Sequence, residues 1–190
     1  ILPGKDVVKL IGRPEISGIS LTGSTAVGRE VAAAAGKDLK KCVLELGGSD
    51  AYVVLADADV EAAARICAQS RLINAGQSCI AAKRFIVEKP VLDEFTHLFV
   101  KELQSRTIGP LARGDLRDQL HAQVNQAVKQ GATLLCGGKI PTGPGFFYPA
   151  TALTGVKPGN VAFDDELFGP VAAIVEAADE REALRFSKIT

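Results

Sequence analysis

Residues 16–46 hold the pattern that most limits how this chain can fold. Ile16 to Leu21 alternates apolar with small or polar residues, as a strand does. Thr22-Gly23-Ser24-Thr25-Ala26-Val27-Gly28 follows, then the helix-forming run Arg29-Glu30-Val31-Ala32-Ala33-Ala34-Ala35, then a second strand-like run from Lys41 to Leu46. Ser24 or Thr25 caps the helix and Gly36 ends it. A strand, a glycine turn and a helix N-terminus make an anion site, because free N–H groups and the helix dipole point at whatever phosphate arrives. The spacing departs from G-x-G-x-x-G, since Thr25 stands at the second glycine. A capped helix whose Gly28 lets it lie close on a sheet explains the same residues without any ligand.

The rest of the chain keeps alternating strands and helices, which places it in the α/β class. Ala51 to Leu55 reads as a strand buried on both faces. Asp57-Ala58-Asp59 opens a helix to about Ile73, the aspartates serving as cap and first-turn charge rather than metal ligands. Arg84 to Glu88 is a strand, Pro90 sits near the start of a helix to about Gln104, and Leu116 to Gln130 is a helix capped by Gly131. Thr133 to Cys136 is a short strand and Gly137 to Gly145 an exposed, mobile loop. Extended structure resumes over Phe147–Leu153 and Val171–Val175, on either side of an acidic turn at Asp164–Pro170. A last helix begins at Asp179.

With 190 residues, 47% apolar and 23% charged at zero net charge, the chain reads as a globular protein with no nucleic-acid footprint and no membrane patch or span. It contains no Met, even at position 1, so we expect the true start to lie elsewhere and the chain to be a piece of something longer. The two histidines, His97 and His121, lie near no cysteine, and no cysteine pair has C-x-x-C spacing, so no zinc site is expected. Cys42, Cys67 and Cys136 fall in strand-like or helical runs and read as buried thiols in a reducing cytoplasm.

Cys79 differs from these three. It ends Asn74-Ala75-Gly76-Gln77-Ser78-Cys79, a glycine turn with amide and hydroxyl neighbours between a helix and a strand. Backbone N–H groups can approach closely there, stabilising a thiolate and an oxyanion. A loop cysteine of no consequence fits the hexapeptide equally well. Glu45 is the other oddity, a carboxylate inside an apolar run. An unpaired buried carboxylate is costly, so Glu45 is either solvated at an edge or tuned by burial for the work of a general base.

Four stretches together resemble the aldehyde dehydrogenase superfamily: Leu21–Gly28, Glu45-Leu46-Gly47-Gly48, Gly76-Gln77-Ser78-Cys79 and Glu166-Leu167-Phe168-Gly169-Pro170. The resemblance covers nearly the whole chain. It implies the end of a Rossmann-like cofactor domain over residues 1–46 and an incomplete α/β catalytic domain over 47–190. By the same resemblance Cys79 is the nucleophile that forms a thiohemiacetal with a small-molecule aldehyde, and hydride then passes to NAD or NADP, leaving a thioester. Glu45 activates the water that hydrolyses it. Gly23, Ser24, Gly28 and Leu46 bind the cofactor, Glu166 holds the nicotinamide ribose, and Phe168 packs near the nicotinamide. The parent enzyme would be a homo-dimer or homo-tetramer.

Cys42–Asp50, Ala82-Lys83-Arg84-Phe85 and Leu116-Arg117-Asp118 look most like bacterial succinate-semialdehyde dehydrogenases. Some of these carry an arginine six positions before the nucleophile to grip a substrate carboxylate, where this chain has Ile73. The family's upstream dinucleotide units, its oxyanion asparagine, its adenosine-ribose lysine and its C-terminal oligomerisation arm are expected outside this chain. Residues also look deleted before Gly109-Pro110. Two rival readings remain: a catalytically silent fragment of such an enzyme, and a cysteine acyl-transfer enzyme without a nicotinamide. The phosphate turn and Glu166-Leu167-Phe168 argue against the second.

Overall fold

The computed structural model describes residues 4–189, which divide into two compact units, one ending at Gly47 and the other beginning at Gly48. The first unit contains helix α1 (Gly4–Ile11), strand β1 (Gly18–Gly23), helix α2 (Thr25–Lys37) and strand β2 (Lys41–Leu46). The two strands pair in parallel, from Gly18 opposite Lys41 to Gly23 opposite Leu46. Ile11, Val31 and Ala35 form a small core, with half-buried Ile19, Leu21, Cys42 and Leu44 against it. Cys42 is therefore only half-buried, not the fully buried thiol its apolar run implied. Cys42 lies on the face of β2 that meets this core, but a core of three buried side chains is too small to enclose it.

The helix ends differently from expectation. It runs through Gly36 to Lys37 and stops at Asp38, and the left-handed position after it is taken by Leu39 (φ 53°), not by a glycine. Leu39 is 94% exposed, so its side chain meets nothing there. The ammonium of Lys40 donates to the carbonyls of Ile11 and Arg13, fastening the end of α1 to the start of β2.

The second unit is built on a five-stranded sheet in the order β3-β4-β7-β6-β5. The strands are β3 (Ala51–Val54), β4 (Arg84–Glu88), β5 (Thr133–Cys136), β6 (Thr151–Thr154) and β7 (Val171–Ala177). All pairs are parallel except β5 with β6. Helices α3 (Val60–Arg71), α4 (Leu92–Gln104), α5 (Gly114–Lys129), α6 (Val161–Asp164) and α7 (Glu180–Ser187) complete it. Asp59 caps α3 and Asp179 caps α7, each carboxylate accepting a first-turn amide. Pro90 lies in a short 3-10 turn, Lys89–Val91, that leads into α4. Gly131, with φ 101°, takes the left-handed position just past α5.

Period-two alternation divides the central strands between two cores. Phe85, Val87, Ala172 and Ile174 face Ala64, Cys67, Ala68, Phe95 and Phe99 of α3 and α4. Ile86, Ala173, Val175 and Ala177 face Leu120, Val124 and Ala127 of α5, with Phe163 and Ala183. The sheet is thus covered on both sides, as parallel strands require. Two expectations need correction. Strand β3 lies at the sheet edge with Tyr52 exposed, so it is not buried on both faces. The 137–145 loop is not exposed throughout: Gly138 is buried and its amide donates to Thr151 Oγ1 at 2.9 Å, so the loop's start belongs to the sheet end.

Candidate active site

Helix α3 delivers the chain into the cysteine turn through Ile73–Gly76, where Asn74 (φ 50°), Ala75 (φ 55°) and Gly76 (φ 74°) are all left-handed. Non-glycine residues hold this conformation at a cost of order 1–2 kcal/mol, so the surroundings must over-determine it. They do. Arg71, fully buried at the end of α3, donates from Nη2 to the Gly76 carbonyl at 2.7 Å. The Asn74 and Gln77 side-chain amides donate to each other's backbone carbonyls at 3.1 Å, and Gln77 Oε1 accepts the Ala112 amide at 2.8 Å. A side chain at Gly76 would overlap the Gly169 carbonyl, so this glycine is required by close approach as well as by its φ.

The turn is held from its other end by Lys83. This ammonium is fully buried and donates to the carbonyls of Cys79 (2.7 Å), Ala81 (3.0 Å) and Ser78 (3.3 Å). It also lies 3.3 Å from Glu166 Oε1. Burial pulls the Lys83 ammonium below its usual value, and the Glu166 carboxylate offsets part of that. Burial likewise lowers Arg71 to about 10, again opposed by Glu166. The thiol of Cys79 is exposed on this rigid support. Cys67 and Cys136 are buried, and burial pushes the Cys67 thiol up to about 12 and raises that of Cys136.

Glu166 opens the turn between α6 and β7. Gln123 Nε2 donates to its carbonyl at 3.2 Å, Leu167 beside it is fully buried, and Phe168 is half-buried. Oε1 of Glu166 has no hydrogen-bond partner among the described residues, its approach to Lys83 being an ion pair out of hydrogen-bond alignment. The fold thus gathers Cys79, Glu166 and Phe168 into neighbouring segments through Arg71, Lys83 and the Gly76–Gly169 approach.

In the first unit the candidate residues also converge. Gly23 and Leu46 are register partners, and so are Thr22 and Glu45. Ser24 caps α2, its Oγ accepting the Val27 amide at 3.4 Å. Gly28 is buried against Leu46, whose Cδ2 would stand 2.6 Å from any Cβ placed there. The helix therefore lies close on β2, the packing reading of this glycine. Glu45 is exposed on β2, the solvated alternative of the two weighed from sequence. Among the described residues, no three or more His, Cys, Asp or Glu side chains converge as a metal site would.

Sequence reasoning passed over Arg71 and Lys83. The signal for Lys83 was present, as a lysine at the mouth of a strand with every residue from Ala81 to Val87 buried. For Arg71 the helical spacing placed it on the buried face of α3, beside Ser70.

Strands alternating with helices in parallel-dominated sheets, with an exposed thiol on a braced glycine turn, place the chain among α/β proteins. The sequence profile described as the aldehyde dehydrogenase family matches residues 1–188, and this chain belongs to that family. It is 44% identical over 197 residues to an aldehyde dehydrogenase of Paenarthrobacter nicotinovorans, covering 98% of this chain and 43% of that protein. It is 45% identical over 191 residues to the NAD(P)+ succinate semialdehyde dehydrogenase Sad of Escherichia coli K12, covering 95% of this chain and 41% of that one. Among solved structures, the succinic semialdehyde dehydrogenase of Streptococcus pyogenes in complex with NADP+ superposes with a TM-score of 0.92 at 35% identity, over 97% of this chain and 43% of that chain. The chain spans about two-fifths of the length of these relatives (43% and 41% of the two curated ones).

Proposed function

We propose that this chain is the thiol-bearing part of an NAD- or NADP-dependent aldehyde dehydrogenase that converts a small aldehyde to its carboxylic acid. The observation that carries the reading is the exposure of Cys79 on a turn fixed by Arg71, Gln77 and Lys83, while Cys67 and Cys136 are shut inside the protein. Cys79 Sγ attacks the aldehyde carbonyl carbon, and backbone amides of a tight turn stabilise the oxygen's developing charge. The thiohemiacetal carbon gives up hydride and becomes a thioester. NAD or NADP, bound by the family to which the chain belongs, supplies the hydride acceptor. Water hydrolyses the thioester, and exposed Glu45 takes its proton. The α2 N-terminus with Gly23, Ser24, Gly28 and Leu46 holds the cofactor phosphates, Glu166 accepts from the ribose, and Phe168 packs near the nicotinamide.

The relatives named above make succinate semialdehyde the first aldehyde to test. All four cysteines are free, which suits a reducing compartment such as the cytoplasm. A homo-dimer or homo-tetramer is the assembly the family resemblance implies.

Two measurements decide the assignment. A limiting alkylating reagent should label Cys79 first, and preferential labelling of Cys42, Cys67 or Cys136 would remove it as the nucleophile. In the protein that carries this chain, Glu45→Gln should keep the burst of NADH or NADPH and depress the steady rate, by roughly 10²-fold or more. An unchanged steady rate would return Glu45 to a structural role, and a protein without any burst would favour the silent-fragment reading.

A further inference from the structure

Arg71 is a buried charge with donors left over. Its side chain is fully enclosed at the end of α3, yet only Nη2 has a partner, the Gly76 carbonyl at 2.7 Å. Nε and Nη1 are buried and meet no acceptor among the described residues. A buried donor without a partner is costly, more so on a charged group. Glu166 shows the opposite lack. Its Oε1 is buried without a hydrogen bond, although the side chain as a whole is 22% exposed. Lys83 stands 3.3 Å from it but has no donor to give, because the three N–H groups of an ammonium are matched by the carbonyls of Ser78, Cys79 and Ala81. Lys83 attracts this carboxylate and does not orient it.

The free donors and the free acceptor belong to one place in the fold. A Cβ built on Gly76 would have the Gly169 carbonyl oxygen at 2.1 Å and Arg71 Nη2 at 2.8 Å, so the head of Arg71 lies against the turn that carries Glu166. Burial works against the Arg71 charge, and Glu166 is the carboxylate that supports it. No hydrogen bond joins the two side chains directly. We propose that Arg71 is the positioning residue of Glu166, holding its carboxylate through one shared water molecule. Water accepts from the guanidinium and donates to Oε1, so a single molecule meets both needs, and buried waters bind roughly two to four polar groups in this way. Arg71 then acts twice, on Gly76 for the cysteine turn and on Glu166 beside it. What Glu166 does for the cofactor rests on the function proposed above; its tie to Arg71 does not.

The first test uses the protein that carries this chain, free of cofactor. Arg71→Lys keeps the positive charge and a donor for the Gly76 carbonyl but loses the rest of the guanidinium. In urea unfolding, Arg71→Lys and Glu166→Ala should couple by about fivefold or more in the unfolding constant, the double variant losing less than the two singles together. Additive losses would overturn the proposal. The second test is NADP+ titration, in which each single variant should bind about tenfold more weakly and the double no more weakly than either. A brace confined to the cysteine turn would leave Arg71→Lys binding as the unmutated protein does; that result, with Glu166→Ala impaired, would overturn the proposal. Unchanged NADP+ affinity in every variant, with the urea coupling intact, would remove Glu166 as a cofactor ligand and leave Arg71 in its role. If Arg71→Lys does not fold, a crystal structure of the unmutated, cofactor-free protein decides. An ordered water within hydrogen-bond reach of both Arg71 and Glu166 Oε1 supports the bridge, and its absence there overturns it.

Discussion

The two turns that carry the candidate chemistry are built in opposite ways. The turn of Gly23–Gly28 is backbone and little else: an exposed strand end, one serine cap and a glycine pressed on Leu46. The turn of Asn74–Cys79 is strained and braced, with left-handed residues in succession, two fully buried cations and a glycine with no room for a methyl group. Under the proposed function, the difference follows from what each would hold. A phosphate is met by amides that any helix N-terminus presents. A nucleophilic sulfur has to stand within a fraction of an ångström of its target, because small misplacements of reacting groups are costly in rate.

The largest test of this contrast is Gly76→Ala. The new side chain would need φ near 74°, would overlap the Gly169 carbonyl, and would come within 2.8 Å of Arg71 Nη2. Left-handed strain and overlap together should cost roughly 3 kcal/mol or more. Urea unfolding of the variant is the measurement. A loss under about 1 kcal/mol would mean the turn yields, and the picture of a rigid support for Cys79 would go with it.

What the sequence showed, and what it hid, follows the same division. The Gly23–Gly28 turn and its Ser24 cap were legible because glycine and cap residues write backbone geometry locally. Strand periodicity in Lys41–Leu46 and Thr133–Cys136 was legible for a similar reason, and both strands have the bounds read from the sequence. The brace of the cysteine turn was not. Arg71 and Lys83 are twelve positions apart, and Lys83, immediately before β4, reaches Glu166 only because β4 and β7 pair in the sheet. Edge placement of β3 and half-burial of Cys42 escaped for a related reason: each depends on which strands stand beside it, and residue pattern alone does not fix that. The bounds of α2 missed at Gly36 because Leu39, not a glycine, adopts the left-handed residue after the helix.

A second test separates the buried thiol of α3 from the exposed thiol that follows it in the chain. Cys67 keeps its proton in the folded protein up to about 12, against an ordinary 9.0, because burial penalises the thiolate. Below pH 9 both states hold the proton and stability does not depend on it. Between about 9 and 12 the unfolded chain releases a proton that the folded one keeps, so stability falls as pH rises through that window. Tyr148, raised from 10.0 to about 12 by burial, and Cys136, also raised by burial, act in the same direction. Cys67→Ala should therefore flatten part of the alkaline loss seen in urea titrations at stepped pH. An alkaline limb of unchanged steepness would show that α3 opens before its thiol ionises, and that the support of the cysteine turn is softer than its contacts indicate.

The smallest effect belongs to the turn that lacks a brace. Ser24 Oγ accepts one amide, that of Val27, at 3.4 Å on an exposed surface. Removing such a cap costs 0.5–2 kcal/mol in general, typically about 1. The long, solvent-open bond places Ser24→Ala in the lower half of that range, because water can replace the lost acceptor. The rest of α2 is secured elsewhere, through Val31 and Ala35 in the small core. Chemical unfolding followed by a signal from the first unit is the appropriate measurement. A loss well above 2 kcal/mol would mean that the Gly23–Gly28 turn depends on its side chains as heavily as the cysteine turn does, and the contrast between a backbone-made and a side-chain-made turn would fail. A loss below about 1 kcal/mol, paired with weaker cofactor binding in the protein that carries this chain, would sharpen it: the hydroxyl then serves the ligand more than the helix.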